Sequence, residues 1–243
     1  ELRQRFPDAV LILDNSQSLY DLRNNGEKGA WVDWQFFSFR KFLPLPDGAL
    51  LINLTKTFND NKFEHNPDYV EPWQEAAKLR CEFIHGKNTD PYKEKRYLSL
   101  FKKAGGMIHL KPQHMSELTS TLLNQFPFDE YAKIRRENFQ ILNQSLMNQS
   151  LVRPCFKIMN ELQVPHFYTV LVANKQRDNL KTAMAEQGIF CPVHWPIWKC
   201  EKSPDSLQFC TNELSLPIDQ RYNAEDMKFM TEVINSFEGM LER

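Results

Sequence analysis

The feature that most constrains the fold of this chain is an apolar run near its start, Ala9-Val10-Leu11-Ile12-Leu13, which ends in the polar residues Asp14-Asn15-Ser16. A strand that is apolar on both faces is typical of a parallel sheet covered by helices on both sides. In such sheets, ligands bind beyond the carboxyl ends of the strands. The run therefore predicts an α/β protein in which Asp14 lies at the ligand-binding edge of the sheet.

The rest of the first half alternates between apolar and polar stretches, which predicts further strands and one helix. We expect strands at Trp34 to Phe39 and Ala49 to Leu54 (entered through the turn Pro46-Asp47-Gly48), a loop over residues 55–70, a helix from Pro72 to Phe83, a second polar stretch at 86–95 and a break at Gly105-Gly106.

The second half also mixes helical and strand patterns, and its first long helix indicates the entry into a second domain. We expect domains at 1–128 and 129–243, with helices at Asp129 to Asn148, Asp178 to Gln187 (Gly188 following at the C′ position) and Asn223 to Glu242 (Asn223 as N-cap, Asp226 in the first turn), and with strands at His166 to Ala173, Ile189 to Trp195 and Leu214 to Ile218.

Composition argues against several classes of protein. Thirty basic residues nearly balance thirty-one acidic ones, so no strong field favours nucleic acid or an anionic membrane surface. No apolar run approaches the roughly 20 residues of a membrane span, and the charged start does not resemble a signal peptide. Five cysteines without a Cys-x-x-Cys pair favour reduced thiols in the cytoplasm. Cys191, His194, Cys200 and Cys210 match no usual zinc spacing, so we predict no metal site.

Lys41 and Asp14 are the side chains most suited to chemistry. Lys41 follows the second strand between Phe39 and Phe42-Leu43, where partial desolvation would make its amine a usable nucleophile and base. Asp14 could stabilise the protonated nitrogen of a bound heterocycle through a charge-assisted hydrogen bond. Taken singly, each has a simpler interpretation: Lys41 as a solvated residue in a turn, and Asp14 as the cap of the next turn.

Three weaker candidates accompany them. Gln17 can donate or accept a hydrogen bond near Asp14, and Ser38 can bond to a phosphate, although an exposed serine explains the same pattern. His194, in Val193-His194-Trp195-Pro196, is suited to a substrate wall, although a packed histidine before a turn fits equally well.

In order along the chain, Asp14-x-x-Gln17, Phe37-Ser38-Phe39, Lys41 and Asp47-Gly48-Ala49-Leu50-Leu51 resemble the DegT-type aminotransferases. These are pyridoxal-phosphate (PLP) enzymes of fold type I, and many aminate keto-sugars attached to nucleotides. Three segments of the second half resemble family motifs as well: Ile134-Arg135-Arg136-Glu137-Asn138, Gly188-Ile189 followed by Val193-His194-Trp195-Pro196, and Glu213-Leu214-Ser215-Leu216-Pro217.

The resemblance implies a role for each candidate. Lys41 would form the Schiff base with pyridoxal 5'-phosphate and then move the proton between substrate and cofactor. Asp14 would hold the pyridine nitrogen protonated, Gln17 would contact the ring hydroxyl, and Ser38 would bind the phosphate. His194 would contact the substrate. The small-molecule partners would be a keto substrate and an amino donor.

The chain also departs from the family pattern. Fewer residues separate Ser38 from Lys41 than in most relatives, and Ala49 replaces a second glycine. The sequence does not begin with Met and resembles the C-terminal two-thirds of the family fold: part of a large domain with a mostly parallel sheet, then an α/β small domain. We therefore expect apolar surface that a further segment would cover, and a homodimer for the intact protein.

Two other functions remain open on the sequence. A non-catalytic fold type I relative could act as a binding or regulatory module, but the presence of both Lys41 and Asp14 favours catalysis. A dehydratase-type reaction is the third reading, and relatives with that chemistry often replace the lysine.

Overall fold

The protein is described by a computed structural model over residues 1–20, 32–53, 63, 68–86, 90–107, 113–156, 163–194 and 203–241. It divides into two compact units, Glu1–Phe126 and Pro127–Arg243. The first unit contains α1 (Leu2–Arg5), β1 (Ile12–Asp14), β2 (Trp34–Ser38), a 3-10 turn (Phe39–Lys41), β3 (Ala49–Asn53), α2 (Val70–Ile84), α3 (Pro91–Gly106) and α4 (Glu117–Leu123).

The sheet of the first unit is mixed, with β2 in the centre. β1 runs parallel to β2, and Asp14 is paired with Phe36. β3 runs antiparallel to β2, and Ser38 is paired with Ala49. The expected strands at 34–39 and 49–54 are thus confirmed, except that Phe39 begins the 3-10 turn and Leu54 lies outside the described residues. The parallel pair brings the carboxyl ends of β1 and β2 to one edge of the sheet.

Gly48 allows the chain to return from β2 into β3. Its φ is +102°, a conformation that residues with a Cβ rarely adopt. A Cβ at this position would lie 2.8 Å from Thr119 Cγ2 and 3.2 Å from Phe39 Cδ2. Both the backbone conformation and the close approach of α4 therefore require glycine here.

The prediction that the first strand is buried on both faces is wrong for the described part of the chain. Val10 is 66% exposed and Ile12 is 62% exposed, and Leu51 on β3 is 52% exposed. Phe37 and Gln35, whose side chains point to the opposite face of the sheet, are 0% and 2% exposed. One face of the sheet is therefore packed, and the other leaves apolar side chains in contact with solvent.

Helix α2 confirms the helix predicted at 72–83, but α3 was missed because residues 86–95 carry few apolar positions. A local signal was present nonetheless. The Asp90 side chain accepts a hydrogen bond from Tyr92 N at 2.9 Å, and Pro91 occupies the first turn, which is a typical helix start. Most of the loop expected at 55–70 lies outside the described residues.

The second unit is an antiparallel sheet packed against helices. Its elements are α5 (Phe128–Leu146), β4 (Val152–Pro154), β5 (Phe167–Val172), α6 (Arg177–Glu186), α7 (Pro204–Asn212), β6 (Glu213–Pro217) and α8 (Ala224–Leu241), with strand order β4-β5-β6. Leu142 of α5, Leu216 of β6 and Ile234 of α8 are each 0% exposed and meet in one core. Burying such side chains stabilises the unit by about 1.5–3 kcal/mol each.

Most elements predicted for the second unit are confirmed, including the cap of the last helix. Asn223 Oδ1 accepts hydrogen bonds from Glu225 N and Asp226 N, and Asp226 Oδ2 accepts one from Asn223 N. The strand predicted at Ile189 to Trp195 is wrong for residues 189–194, which are irregular. Pro192 has no N–H to donate to a ladder, and only its carbonyl bonds to Ser215 N. Trp195 lies outside the described residues.

Arg135 and Asn138 connect α5 to the segment that follows β6. Arg135, 1% exposed, donates from Nε to Gln220 Oε1 at 3.0 Å and from Nη1 to the His166 carbonyl at 3.1 Å. Asn138 Nδ2 donates to the carbonyls of Ile218 and Tyr222 at 3.2 Å and 3.0 Å. These two side chains of the Arg-Arg-x-Asn motif therefore have structural contacts that hold the second unit together.

Replacing Arg135 with methionine is expected to lower the free energy of unfolding by about 2–3 kcal/mol, because buried carbonyl acceptors would lose a charged donor. Urea unfolding followed by circular dichroism measures this. Arg136→Met is the matched control: Arg136 is half-buried, so the loss should stay below about 1 kcal/mol. Equal losses in the two variants would contradict the structural role of Arg135.

Among the described residues, no helix is long and apolar enough to cross a membrane.

Candidate active site

Lys41 lies in the 3-10 turn that follows β2. The apolar neighbours Phe39, Phe42 and Leu43 are 8%, 4% and 3% exposed, so they anchor the turn in the core. The Lys41 side chain itself is exposed, which differs from the expected partial desolvation. Its Nζ donates a hydrogen bond to Ser16 Oγ at 2.9 Å. A packed turn therefore presents a solvent-accessible amine near the end of β1.

Asp14 is the last residue of β1, at the carboxyl end of the strand. Its Oδ1 accepts a hydrogen bond from Ser16 N at 2.8 Å. Hydrogen bonds from the Ser16 hydroxyl and backbone lower the pKa of the Asp14 carboxyl. Burial opposes them, and the nearby charge of Lys41 makes the smallest contribution, which also lowers the pKa. Asp14 does cap the turn, as its simpler interpretation expected, and it is an anion beside the Lys41 amine.

The structure thus brings Asp14, Ser16 and Lys41 together at the carboxyl ends of two neighbouring parallel strands. Ser16 was not singled out from the sequence, although a serine two residues after an aspartate is a common turn signal. Gln17 is exposed and Ser38 is half-buried at the end of β2. Within the described part of the chain, neither bonds to this cluster. Asp14 and Ser38 do share the open face of the sheet through the strand register.

The Asp47 carboxylate fixes the turn that leads from Lys41 into β3. Asp47 is 4% exposed and accepts hydrogen bonds from Ser116 N at 2.7 Å and from Ser116 Oγ at 2.9 Å. Thr119 Oγ1 also donates to it. Burial, followed by the nearby Asp47 charge, raises the pKa of Tyr69 to about 12, so Tyr69 remains a neutral phenol. The carboxylate therefore joins the turn to the start of α4.

His194, in the second unit, belongs to a hydrogen-bonded chain that ends at a buried carboxylate. Its Nδ1 lies 3.1 Å from Ser215 Oγ, and Ser215 Oγ donates to Glu213 Oε1 at 2.6 Å. The backbone N of His194 donates to Glu213 Oε2 at 3.0 Å. Glu213 is 0% exposed, whereas the His194 side chain is 29% exposed and its ring lies 4.5 Å from that of Phe167.

The two thiols near these hydrogen bonds, Cys155 and Cys191, are held in the neutral form by burial. Burial, then the charge of Glu213, raises the pKa of Cys155 to about 11, and burial raises that of Cys191 to about 12. Cys191 packs against Met184, with 3.8 Å between the sulfur atoms. The described residues contain no group of three or more His, Cys, Asp or Glu side chains placed to hold a metal ion. Cys200 lies outside them.

Comparison with known proteins gives one family and a common fold. The sequence profile of the DegT/DnrJ/EryC1/StrS aminotransferase family matches residues 76–237. A comparison with curated proteins finds no match. Spr1654 of Streptococcus pneumoniae, provisionally described as a sugar aminotransferase and solved in its PMP form, is 17% identical with a TM-score of 0.59, over 96% of this chain and 60% of that one.

Two further structures agree. A DegT DnrJ EryC1 StrS aminotransferase from Brucella abortus is 16% identical with a TM-score of 0.58, over 98% of this chain and 59% of that one. Helicobacter pylori PseC, an aminotransferase of pseudoaminic acid biosynthesis, is 14% identical with a TM-score of 0.52, over 86% of this chain and 54% of that one. The chain therefore spans less than two thirds of these proteins. Over that part it has their α/β fold, which confirms the fold class expected from the sequence.

Proposed function

This chain belongs to the DegT/DnrJ/EryC1/StrS aminotransferase family, and from that premise we propose that the whole protein is a PLP-dependent aminotransferase. It transfers an amino group from a small amino donor to a keto-sugar or a similar small keto substrate. Residues 1–128 are then the remainder of the PLP-binding large domain, and 129–243 are the small domain. Spr1654, solved in PMP and PLP forms, and PseC of pseudoaminic acid biosynthesis support the cofactor and the substrate class.

The observation that carries the proposal is the cluster of Lys41, Ser16 and Asp14 at the strand ends. The donor set fits PLP, because an accessible primary amine can bond covalently to an aldehyde and an ionised carboxylate can hold a pyridine nitrogen protonated. When bound, the cofactor supplies an electron sink for charge that develops on the substrate carbon.

The residues of the chain supply attachment and proton transfer. Lys41 would hold the cofactor through Nζ, and its amine would move a proton on and off the substrate carbon. Asp14 keeps its charge because the Ser16 hydroxyl and backbone donate to it. Gln17 would contact the ring hydroxyl, Ser38 would bind the phosphate and His194 would contact the substrate.

The setting of the enzyme is proposed on separate grounds. A homodimer as the working form is proposed from the family to which the chain belongs. Cys81, Cys155, Cys191 and Cys210 are free thiols, which supports a cytoplasmic location.

Borohydride reduction of the full-length protein incubated with PLP tests the proposal, with peptide mapping by mass spectrometry. We expect a pyridoxyl adduct on Lys41 and on no other lysine. An adduct elsewhere would reassign the attachment site. The absence of any adduct would remove the aminotransferase proposal and favour the alternative, a non-catalytic relative that acts as a binding or regulatory module.

A further inference from the structure

The hydrogen bonds around His194 determine which ring nitrogen carries its proton. Ser215 has one hydroxyl proton, and it is donated to Glu213 Oε1 at 2.6 Å. Toward the Nδ1 atom of His194, 3.1 Å away, Ser215 Oγ can then only accept. Nδ1 must therefore be the donor, and the neutral ring carries its proton on Nδ1.

The second carboxylate oxygen of Glu213 fixes the direction of these hydrogen bonds. Glu213 Oε2 accepts from the backbone N of His194 at 3.0 Å, and a backbone N–H cannot reverse its role. Thr169 Oγ1 lies 3.2 Å from Ser215 Oγ and, since the Ser215 proton is already committed, donates to it. Both carboxylate oxygens thus face donors, and the acceptor capacity of Ser215 is used by Thr169 and His194.

We propose that Glu213 and Ser215 are positioning residues that hold His194 in the Nδ1–H form, so that Nε2 presents a lone pair to a ligand. Such an acceptor selects a hydroxyl or ammonium group and disfavours a carboxylate or carbonyl oxygen. Histidine free in water favours the opposite, Nε2–H form. That the ligand group is a hydroxyl of the substrate rests on the function proposed above. The protonation state of His194 does not depend on that function.

The residues around Glu213 and Ser215 are consistent with a buried carboxylate that orients His194 through hydrogen bonds. The charge of Glu213 helps to keep the nearby Cys155 thiol neutral. The backbone carbonyl of Glu213 accepts a hydrogen bond from Arg177 Nη1 at 3.2 Å. The His194 ring packs beside Phe167, which limits its rotation. The side chain remains 29% exposed, so the ring is not closed off from a ligand.

The tautomer can be read from long-range 1H–15N correlation spectra of the full-length protein at a pH where histidines are neutral. This sequence alone contains six histidines, so His194→Gln identifies the signal of interest. In the wild type we expect a protonated Nδ1 and an unprotonated Nε2. An Nε2–H wild-type ring would overturn the proposal directly, whether or not any variant folds.

Glu213→Gln should reverse the relay, by which we mean the two hydrogen bonds that connect residue 213 to Ser215 and Ser215 to His194. The Gln carbonyl must face the backbone N–H of His194, so its amide group faces and donates to Ser215, whose proton then turns toward His194 Nδ1. The expected result is a switch to Nε2–H. Thr169→Val is the matched control: it removes a hydroxyl from the same cluster but leaves the Ser215 proton on Glu213, so the tautomer should be retained. An unchanged tautomer in Glu213→Gln would refute the relay.

Kinetics separate the relay from the proposed function. Glu213→Gln should raise KM for the keto substrate about tenfold, the order expected from one lost hydrogen bond, and leave the Lys41 adduct yield unchanged. A switched tautomer with unchanged KM would overturn the ligand assignment alone. A missing Lys41 adduct in a protein with the expected wild-type tautomer would remove the aminotransferase proposal and leave the relay standing.

Discussion

Lys41→Ala is expected to abolish the borohydride-trapped adduct and to reduce transamination at least roughly 10²–10⁴-fold, the range that a positioned proton-transfer group contributes. Under the proposed function the loss has two causes: the covalent attachment of the cofactor would disappear, and so would the amine proposed to move the proton. The Lys41 side chain is exposed while the turn is anchored by Phe39, Phe42 and Leu43, so the substitution should leave the fold intact.

The effect is measured by single-turnover absorbance of the cofactor in the full-length protein, with circular dichroism as the check on folding. Partial rescue of the rate by an added small primary amine would show that the loss is chemical. Arg40→Gln is the matched control, because it removes the adjacent exposed cation of the same turn and should change the rate by less than about threefold, within the usual effect of a surface substitution. Full activity of Lys41→Ala would exclude Lys41 as the attachment site.

Asp47→Asn is expected to lower the free energy of unfolding by about 3 kcal/mol, because buried donors that bond to a charged oxygen would lose that acceptor. Ser116 N, Ser116 Oγ and Thr119 Oγ1 all donate to this carboxylate. An amide nitrogen in place of either oxygen would face donors and would leave at least one of them without an acceptor.

Urea unfolding followed by tryptophan fluorescence measures this loss, and the yield of the Lys41 adduct provides a second readout. Because Asp47 anchors the turn that continues from Lys41, the adduct yield should fall together with stability. Asp8→Asn removes an exposed carboxylate of the same unit and should stay within about 0.5 kcal/mol of the wild type. If Asp47→Asn were also within about 0.5 kcal/mol of the wild type, the hydrogen bonds to Asp47 would contribute little to the free energy of unfolding.

Patterned elements were predictable because their signals are local. The strands around Trp34 and Ala49, the helices around Trp73 and Phe139, and the cap at Asn223 all follow from periodicity and end signals within a few residues. Helix α3 has no clear apolar period because its composition is polar, and residues 189–194 are irregular despite their apolar pattern because Pro192 cannot donate to a strand ladder.

By itself, the sequence determined the α/β class, the family resemblance, and the placement of Asp14 and Lys41 after two strands. Only the tertiary structure decided which residues meet these side chains. Ser16 reaches Lys41 across 25 positions of the chain, and Asp47 reaches Thr119 across 72. The open face of β1 and the path from Glu213 to His194 depend equally on packing. Hydrogen bonds between distant segments depend on how the elements pack, and no local pattern of residues encodes that arrangement.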